Sequence, residues 1–244
     1  MNVIKVKDYQ EMSKEACKIV VEKIKELDRP VLGFATGSTP IGLYQCLIEE
    51  YNKKNVSFQD VTTFNLDEYV GLAPDDPRSY YYFMMDQLFN HVDVPQENIH
   101  IPNGVTSDLE KECHDFEESI RKAGQIDLQI LGIGPNGHIG FNEPGTKFSS
   151  RTHVVKLTES TRNANSRFFD SIEEVPTEAI TMGIETILEC KEIILLVSGE
   201  NKAETVAQLL NGDITEDFPA SALHKHNNVT VIADEAAMKY VNKD

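Results

Sequence analysis

Asp127-Leu-Gln-Ile-Leu-Gly-Ile-Gly-Pro-Asn-Gly-His-Ile-Gly-Phe-Asn-Glu-Pro-Gly145 decides how the rest of the chain is read. An apolar strand, Asp127–Ile133, runs straight into a glycine-rich loop holding a histidine, a carboxylate and two carboxamides. In α/β proteins ligands bind where strands end. Histidine is the side chain suited to moving protons near neutral pH, and glycines let backbone approach a small molecule closely. The loop is expected to wall an active site. Gly132-x-Gly134-x-x-Gly137 has dinucleotide-binding spacing, but that motif needs a helix to open at the loop. Here Pro144 and Gly145 follow, and no amphipathic run starts at Ile139. Nicotinamide binding is rejected, and no cofactor is expected.

Outward from this loop, helix and strand patterns alternate. Asp8–Leu27 carries Met12, Ala16, Ile19, Val20, Ile24 and Leu27 at helical spacing. Val31–Ala35 is a short apolar strand, and Pro40–Tyr51 a helix with proline in its first turn. Val61–Leu66 is the next strand. Helices are predicted over Ser79–Phe89, Leu109–Ala123, Glu159–Phe169, Ile184–Glu189, Asn201–Leu210 and Glu235–Val241, with strands at Ile193–Val197 and Val229–Ala233. Such alternation implies a single α/β domain, Rossmann-like, with a mostly parallel sheet and helices on both faces. The stretch 145–181 lacks strong strand signals and is expected to form a lid.

The 244 residues suffice for one domain with a substantial core. Lys and Arg total 23 against 40 Asp and Glu, a formal charge of −17. That balance argues against nucleic acid and anionic membrane as partners, and any phosphate site must be built from a few placed cations. Cys17, Cys46, Cys113 and Cys190 form no C-x-x-C pair and read as reduced. The start of the chain has no apolar signal core and no run reaches spanning length, so a cytoplasmic protein is expected. His224-x-His226 lacks a third ligand at metal spacing, and no metal is expected.

Three strand ends carry polar clusters. Ala35-Thr-Gly-Ser-Thr-Pro-Ile-Gly42 leads small hydroxyl residues into a helix N-terminus, whose free N–H groups and dipole favour phosphate. Leu43 and Tyr44 stand where a P-loop needs Lys and Ser or Thr, so nucleotide hydrolysis is not expected; an ordinary Ser/Thr helix cap is the plain alternative. Thr63-Phe-Asn-Leu-Asp-Glu-Tyr69 ends the second strand, with Asp67 a candidate general base and a loop or cap acid the alternative. In the third, Glu143 is set to orient His138. Arg162, Arg167 and Lys202 are candidate cations, each with a surface-charge alternative.

Taken together, Ala35-Thr-Gly-Ser-Thr-Pro40, Thr63-Phe-Asn-Leu-Asp-Glu-Tyr-Val-Gly-Leu72, Ser79-Tyr-Tyr, Gly134-x-x-Gly-His-Ile-Gly-Phe-Asn-Glu-Pro144, Ser150-Arg-Thr152, Thr161-Arg-x-Ala-Asn-Ser-Arg-Phe-Phe169 and Lys202 resemble the glucosamine-6-phosphate deaminase family, within the wider sugar-phosphate isomerase and 6-phosphogluconolactonase fold group. The resemblance implies conversion of glucosamine 6-phosphate and water to fructose 6-phosphate and ammonia, without redox cofactor or metal. It implies catalytic roles for Asp67, Asn136, His138 and Glu143. Thr36, Gly37, Ser38, Thr39, Gly137, Arg167 and Lys202 would bind the substrate and its phosphate. Many members carry Asp where this chain has Asn136, which would leave Glu143 as the main charge partner of His138. The hexameric, allosterically activated members have cationic residues just after Ser-Arg-Thr and a longer C-terminus. His153 and Val155 fill those places here, and the chain stops at Asp244, so weak or absent activation by N-acetylglucosamine 6-phosphate and a monomer or small homo-oligomer are expected. The competing readings are a 6-phosphogluconolactonase-type hydrolase and a sugar-phosphate sensor. The sensor would need a DNA-binding segment, for which no room is expected before Asp8 or after Val241, and its charge would be wrong for DNA.

Overall fold

A computed structural model describes residues 1–241. Its frame is a seven-stranded sheet, parallel throughout. In chain order its strands are β1 (Asn2–Val6), β2 (Val31–Phe34), β3 (Thr62–Asn65), β5 (Ile99–His100), β6 (Leu128–Leu131), β9 (Ile193–Val197) and β10 (Val229–Asp234), and in space they run β1-β10-β9-β6-β2-β3-β5. A second, antiparallel sheet joins β4 (Asp67–Tyr69), β8 (Glu178–Thr181) and β7 (His153–Lys156) in that order.

Strand alternation splits the core into two apolar layers. Ile194, Leu196 and Ile232 face Met12, Ala16 and Val20 of α1 (Tyr9–Glu26), Leu43 and Leu47 of α2 (Ile41–Asn52) and Met84 of α3 (Tyr80–Gln87). Ile193, Leu195, Val197 and Val231 face Phe116 and Ile120 of α4 (Leu109–Lys122), Ile187 of α6 (Ile184–Leu188), and Val206 and Leu209 of α7 (Ala203–Asn211). Both faces are covered, as the sequence implies.

The departures have local causes. β1 is an edge strand with alternating exposure, so it lacks an apolar run. Glu235–Val241 is a succession of turns, not the predicted helix. The Asp234 carboxylate takes the Ala237 N–H at 2.8 Å, and the bonds mix i−4 (Met238 to Asp234) with i−3 (Val241 to Met238). The stretch 145–181 is not strand-free: β7 and β8 lie within it, and β8 pairs with β4. β7 is also tied to α4, because buried Glu117 accepts from Thr152 N, Thr152 Oγ1, Thr186 Oγ1 and Arg151. What leaves the sheet is 157–177, with α5 (Glu159–Asn165) and two short 3-10 turns, closed at its base by Leu157 N–H to Thr177 O at 2.8 Å.

Candidate active site

The chain runs from β2 to β3 on one side and from β6 to β9 on the other, so the topology reverses between neighbours β2 and β6. Crevices at such a point, at the carboxyl ends of strands, are where open α/β sheets bind ligands. The ends of adjacent β9, β6, β2 and β3 bring Lys202, the loop 132–145, the loop 35–39 and Asp67 to one edge.

The loop after β2 is free of the plain capping role. The N-cap of α2 is Pro40, with no side-chain cap bond, so Ser38 and Thr39 do not close this helix. Gly37 has φ +89, and an added Cβ there would meet nothing within 4 Å, so the turn opens onto free space. Two tyrosines brace it from below. The Tyr9 hydroxyl donates to Ser38 O at 3.0 Å and accepts from Gly42 N at 2.8 Å; the Tyr44 hydroxyl donates to Ala35 O. The result is a fixed turn with a helix N-terminus behind it.

Asp67 and Glu68 are both buried but face different work. The Glu68 carboxylate accepts from Tyr69 N, Tyr80 N and Tyr81 N at 2.8–2.9 Å, capping α3, and burial pushes its pKa up to about 7 against those three donors. Among the described residues, no donor reaches the Asp67 carboxylate. Burial, with the neighbouring Glu68 charge second, raises its pKa to about 8. β4 holds it by pairing Asp67 with Thr181, and Oδ2 faces Gly140, where an added Cβ would lie 3.8 Å from it. A carboxyl that titrates near working pH and has no partner of its own is suited to take and return a proton.

His138 sits over Gly134, where an added Cβ would lie 2.0 Å from the ring, so only glycine fits beneath it. Nδ1 is 2.7 Å from Asn136 Oδ1, which can only accept; Nδ1 therefore carries the proton and Nε2 presents a free lone pair. Asn136 Nδ2 donates to Glu143 Oε2 at 2.8 Å, while Glu143 itself stands 3.8 Å from Nδ1. The sequence reading set Glu143 directly against the ring; the amide lies between them and transmits its orientation. An aspartate at 136 would instead place two carboxylates in contact. Desolvation lowers the His138 pKa, Glu143 opposes this and Lys202 reinforces it, so the ring is neutral near pH 7.

Lys202 forms the N-cap of α7, and its ammonium donates to Ile133 O at 2.6 Å, at the mouth of the loop. Burial lowers its pKa. Gly137, φ +83, packs on Phe218 and its carbonyl accepts from Ala220 N. Arg167 lies exposed in the 3-10 turn Ser166–Phe168. Arg162 is structural, donating to Ile172 O and Val175 O. Residue-by-residue reading missed Tyr9, Tyr80 and Thr161, the last donating to Glu143 Oε1. Only the Ser79-Tyr-Tyr and Thr161-Arg pieces held a signal for two of them.

The sequence profile of the family described as glucosamine-6-phosphate isomerases/6-phosphogluconolactonase matches residues 7–232. A glucosamine-6-phosphate deaminase of Oceanobacillus iheyensis is 59% identical over 242 residues, 99% of this chain and 97% of its own. Glucosamine-6-phosphate deaminase 1 of Bacillus subtilis is 54% identical over 237 residues, 97% and 98% of the two chains. A solved structure of a monomeric glucosamine-6-phosphate deaminase superposes with TM-score 0.96 at 54% identity, covering 98% of this chain and 99% of that one. The 6-phosphogluconolactonase of Thermotoga maritima, 21% identical with TM-score 0.76 and 96% and 98% coverage, shares the fold.

Proposed function

The chain belongs to the glucosamine-6-phosphate isomerase/6-phosphogluconolactonase family, and we infer from its deaminase relatives that it converts glucosamine 6-phosphate and water to fructose 6-phosphate and ammonia. The observation that carries the site reading is Asp67, a buried carboxyl with no donor among the described residues, at the same sheet edge as a histidine with a free Nε2.

Ring opening moves the anomeric hydroxyl proton to the ring oxygen, and His138 Nε2 is the group for it. The exposed aldehyde at C1 acidifies the C2 proton. Asp67 removes that proton and returns it to C1, while one proton passes from the C2 nitrogen to O1, leaving C1 as an alcohol and C2 as an imine. Water adds to C2 and ammonia leaves, giving the ketone. No electrons are exchanged with a partner. The turn Thr36–Thr39, with Gly37 opening it, and Lys202 hold the phosphate. Arg167 reaches it from the 157–177 segment, which acts as the lid. Fixing the phosphate sets C2 against Asp67, and positioning of this kind lowers barriers by several kcal/mol.

His153 and Val155, where activated hexamers carry cations, support a monomer with a hyperbolic substrate curve. Among the described residues no helix is long and apolar enough to cross a membrane. The four free cysteines suit the cytoplasm.

Ammonia release from glucosamine 6-phosphate by the purified protein, beside acid release from 6-phosphogluconolactone, tests this function. Ammonia with stoichiometric fructose 6-phosphate is expected. Acid release alone would leave the fold intact and make the protein a lactonase.

A further inference from the structure

Glu143 is held from two directions. Asn136 reaches Oε2 from the same loop, whereas Thr161 reaches Oε1 at 2.5 Å from the first turn of α5. An ionised carboxylate only accepts, so Thr161 directs its one hydroxyl proton to Glu143. Its oxygen then accepts from Thr158 Oγ1 at 3.0 Å. Thr158 is the N-cap of α5 and also accepts Thr161 N at 3.2 Å. Thr161 thus holds the third helical position, where a capping-box residue would turn its side chain back to the cap; here it points to Glu143 instead. Thr161 and Glu143 are each 8% exposed, which leaves solvent little access to replace the bond.

The chain of donors therefore runs Thr158, Thr161, Glu143 on one side and His138, Asn136, Glu143 on the other, with both arms ending on one carboxylate. The first arm belongs to the 157–177 segment and the second to the loop after β6. We propose that Thr161 is a positioning residue for His138: its hydroxyl stabilises the Glu143 charge behind the ring and ties that charge to the seating of the 157–177 segment. This rests on the reading of His138 as the ring-opening group.

The sign follows from the charges that face the ring, Glu143 favouring imidazolium and Lys202 opposing it. Without the Thr161 donor, the Glu143 charge is less neutralised and acts more strongly on His138. The His138 pKa then rises, and less of the ring is neutral at pH 7.

NMR titration of the His138 ring in the ligand-free protein tests this without assuming a substrate. Thr161→Val, which keeps size and loses the donor, is expected to raise the His138 pKa by about one pH unit. Thr161→Ser, which keeps the donor, is expected to titrate as the wild type does. Should the valine variant fail to fold, Thr161→Cys, a weaker donor of similar size, carries the same comparison with a smaller upward shift. A His138 titration unmoved by loss of the hydroxyl would overturn the proposal. In kinetics, kcat should fall in Thr161→Val. A shifted titration in a protein that releases no ammonia would uphold the link between Thr161 and His138 while removing the deaminase reading.

Discussion

The two sheets divide the labour of the site. The parallel sheet supplies anchorage: its inner strands are buried on both faces, and their ends present a braced turn, a helix N-terminus and the Lys202 ammonium. The small antiparallel sheet supplies chemistry. β4 is three residues long, stands at the edge of its sheet beside β8, and carries Asp67 in an environment that penalises its charge. Anchoring a phosphate needs rigid donors and little else. Proton abstraction needs a carboxyl left poorly satisfied, and such strain is easier to keep on a short strand outside the main frame. Between them stands the His138–Asn136–Glu143 relay, fixed by hydrogen bonds rather than by either sheet.

Asp67→Asn should separate the two roles most sharply. Ammonia release is expected to fall about 10³-fold, while calorimetry shows sugar-phosphate binding retained. The same change should stabilise the protein at alkaline pH. The Asp67 pKa rises from 3.8 to about 8 on folding, so between those values the fold holds a proton that the unfolded chain has released. Stability is therefore lost as pH rises towards 8, and asparagine removes that loss. The variant should be more stable than wild type at pH 8, by several kcal/mol, and level with it near pH 4.

The pH profile is the next largest effect. If ionised Asp67 and neutral His138 are both required, Asp67 sets the acid limb, because the His138 pKa is depressed below its usual value. Steady-state kcat/KM should rise about 50-fold from pH 6 to pH 8, as expected for one group titrating near 8. In Asp67→Asn that limb should disappear from the residual rate.

Lys202→Met acts chiefly on the anchoring side. KM is expected to rise about 10-fold with kcat largely kept, the pattern for a contact made equally in ground and transition states. A loss confined to kcat would move Lys202 from anchorage to chemistry.

The smallest effect is expected where the two sheets meet α3. Glu68→Gln keeps the acceptor for Tyr69 N and Tyr80 N but gives up the one for Tyr81 N. Thermal melts near pH 4 should show a loss of about 1 kcal/mol, shrinking as pH rises through 7 because burial penalises the Glu68 charge there, with ammonia release changed by less than the Asp67 variant changes it.

The parallel frame was legible because strands buried on both faces must be apolar, as Ile193–Val197 and Val229–Ala233 are. The small sheet was not: His153–Lys156 and Glu178–Thr181 are four residues long and partly polar, and their pairing with Asp67–Tyr69 is long-range. Asp67 and His138 could be singled out by position and residue type, but not how they are held. The amide between His138 and Glu143 depends on a turn geometry that spacing does not encode. Thr161 meets Glu143 only after the chain folds back from β7, and Tyr9 reaches the turn before α2 from a different helix. Glu235–Val241 has helical spacing, yet after one i−4 bond its backbone bonds tighten to i−3, and the segment stays a run of turns.

The most direct test of the strand-edge carboxyl as the C2 base is NMR of glucosamine 6-phosphate in deuterium oxide, following loss of the C2–H signal with wild type and with Asp67→Asn. Wild type should cleave the C2–H bond and place one hydrogen isotope at C1 of fructose 6-phosphate, while the variant binds substrate and leaves C2–H intact. Cleavage of C2–H by Asp67→Asn at a rate near that of wild type would contradict the assignment and move the base elsewhere in the site.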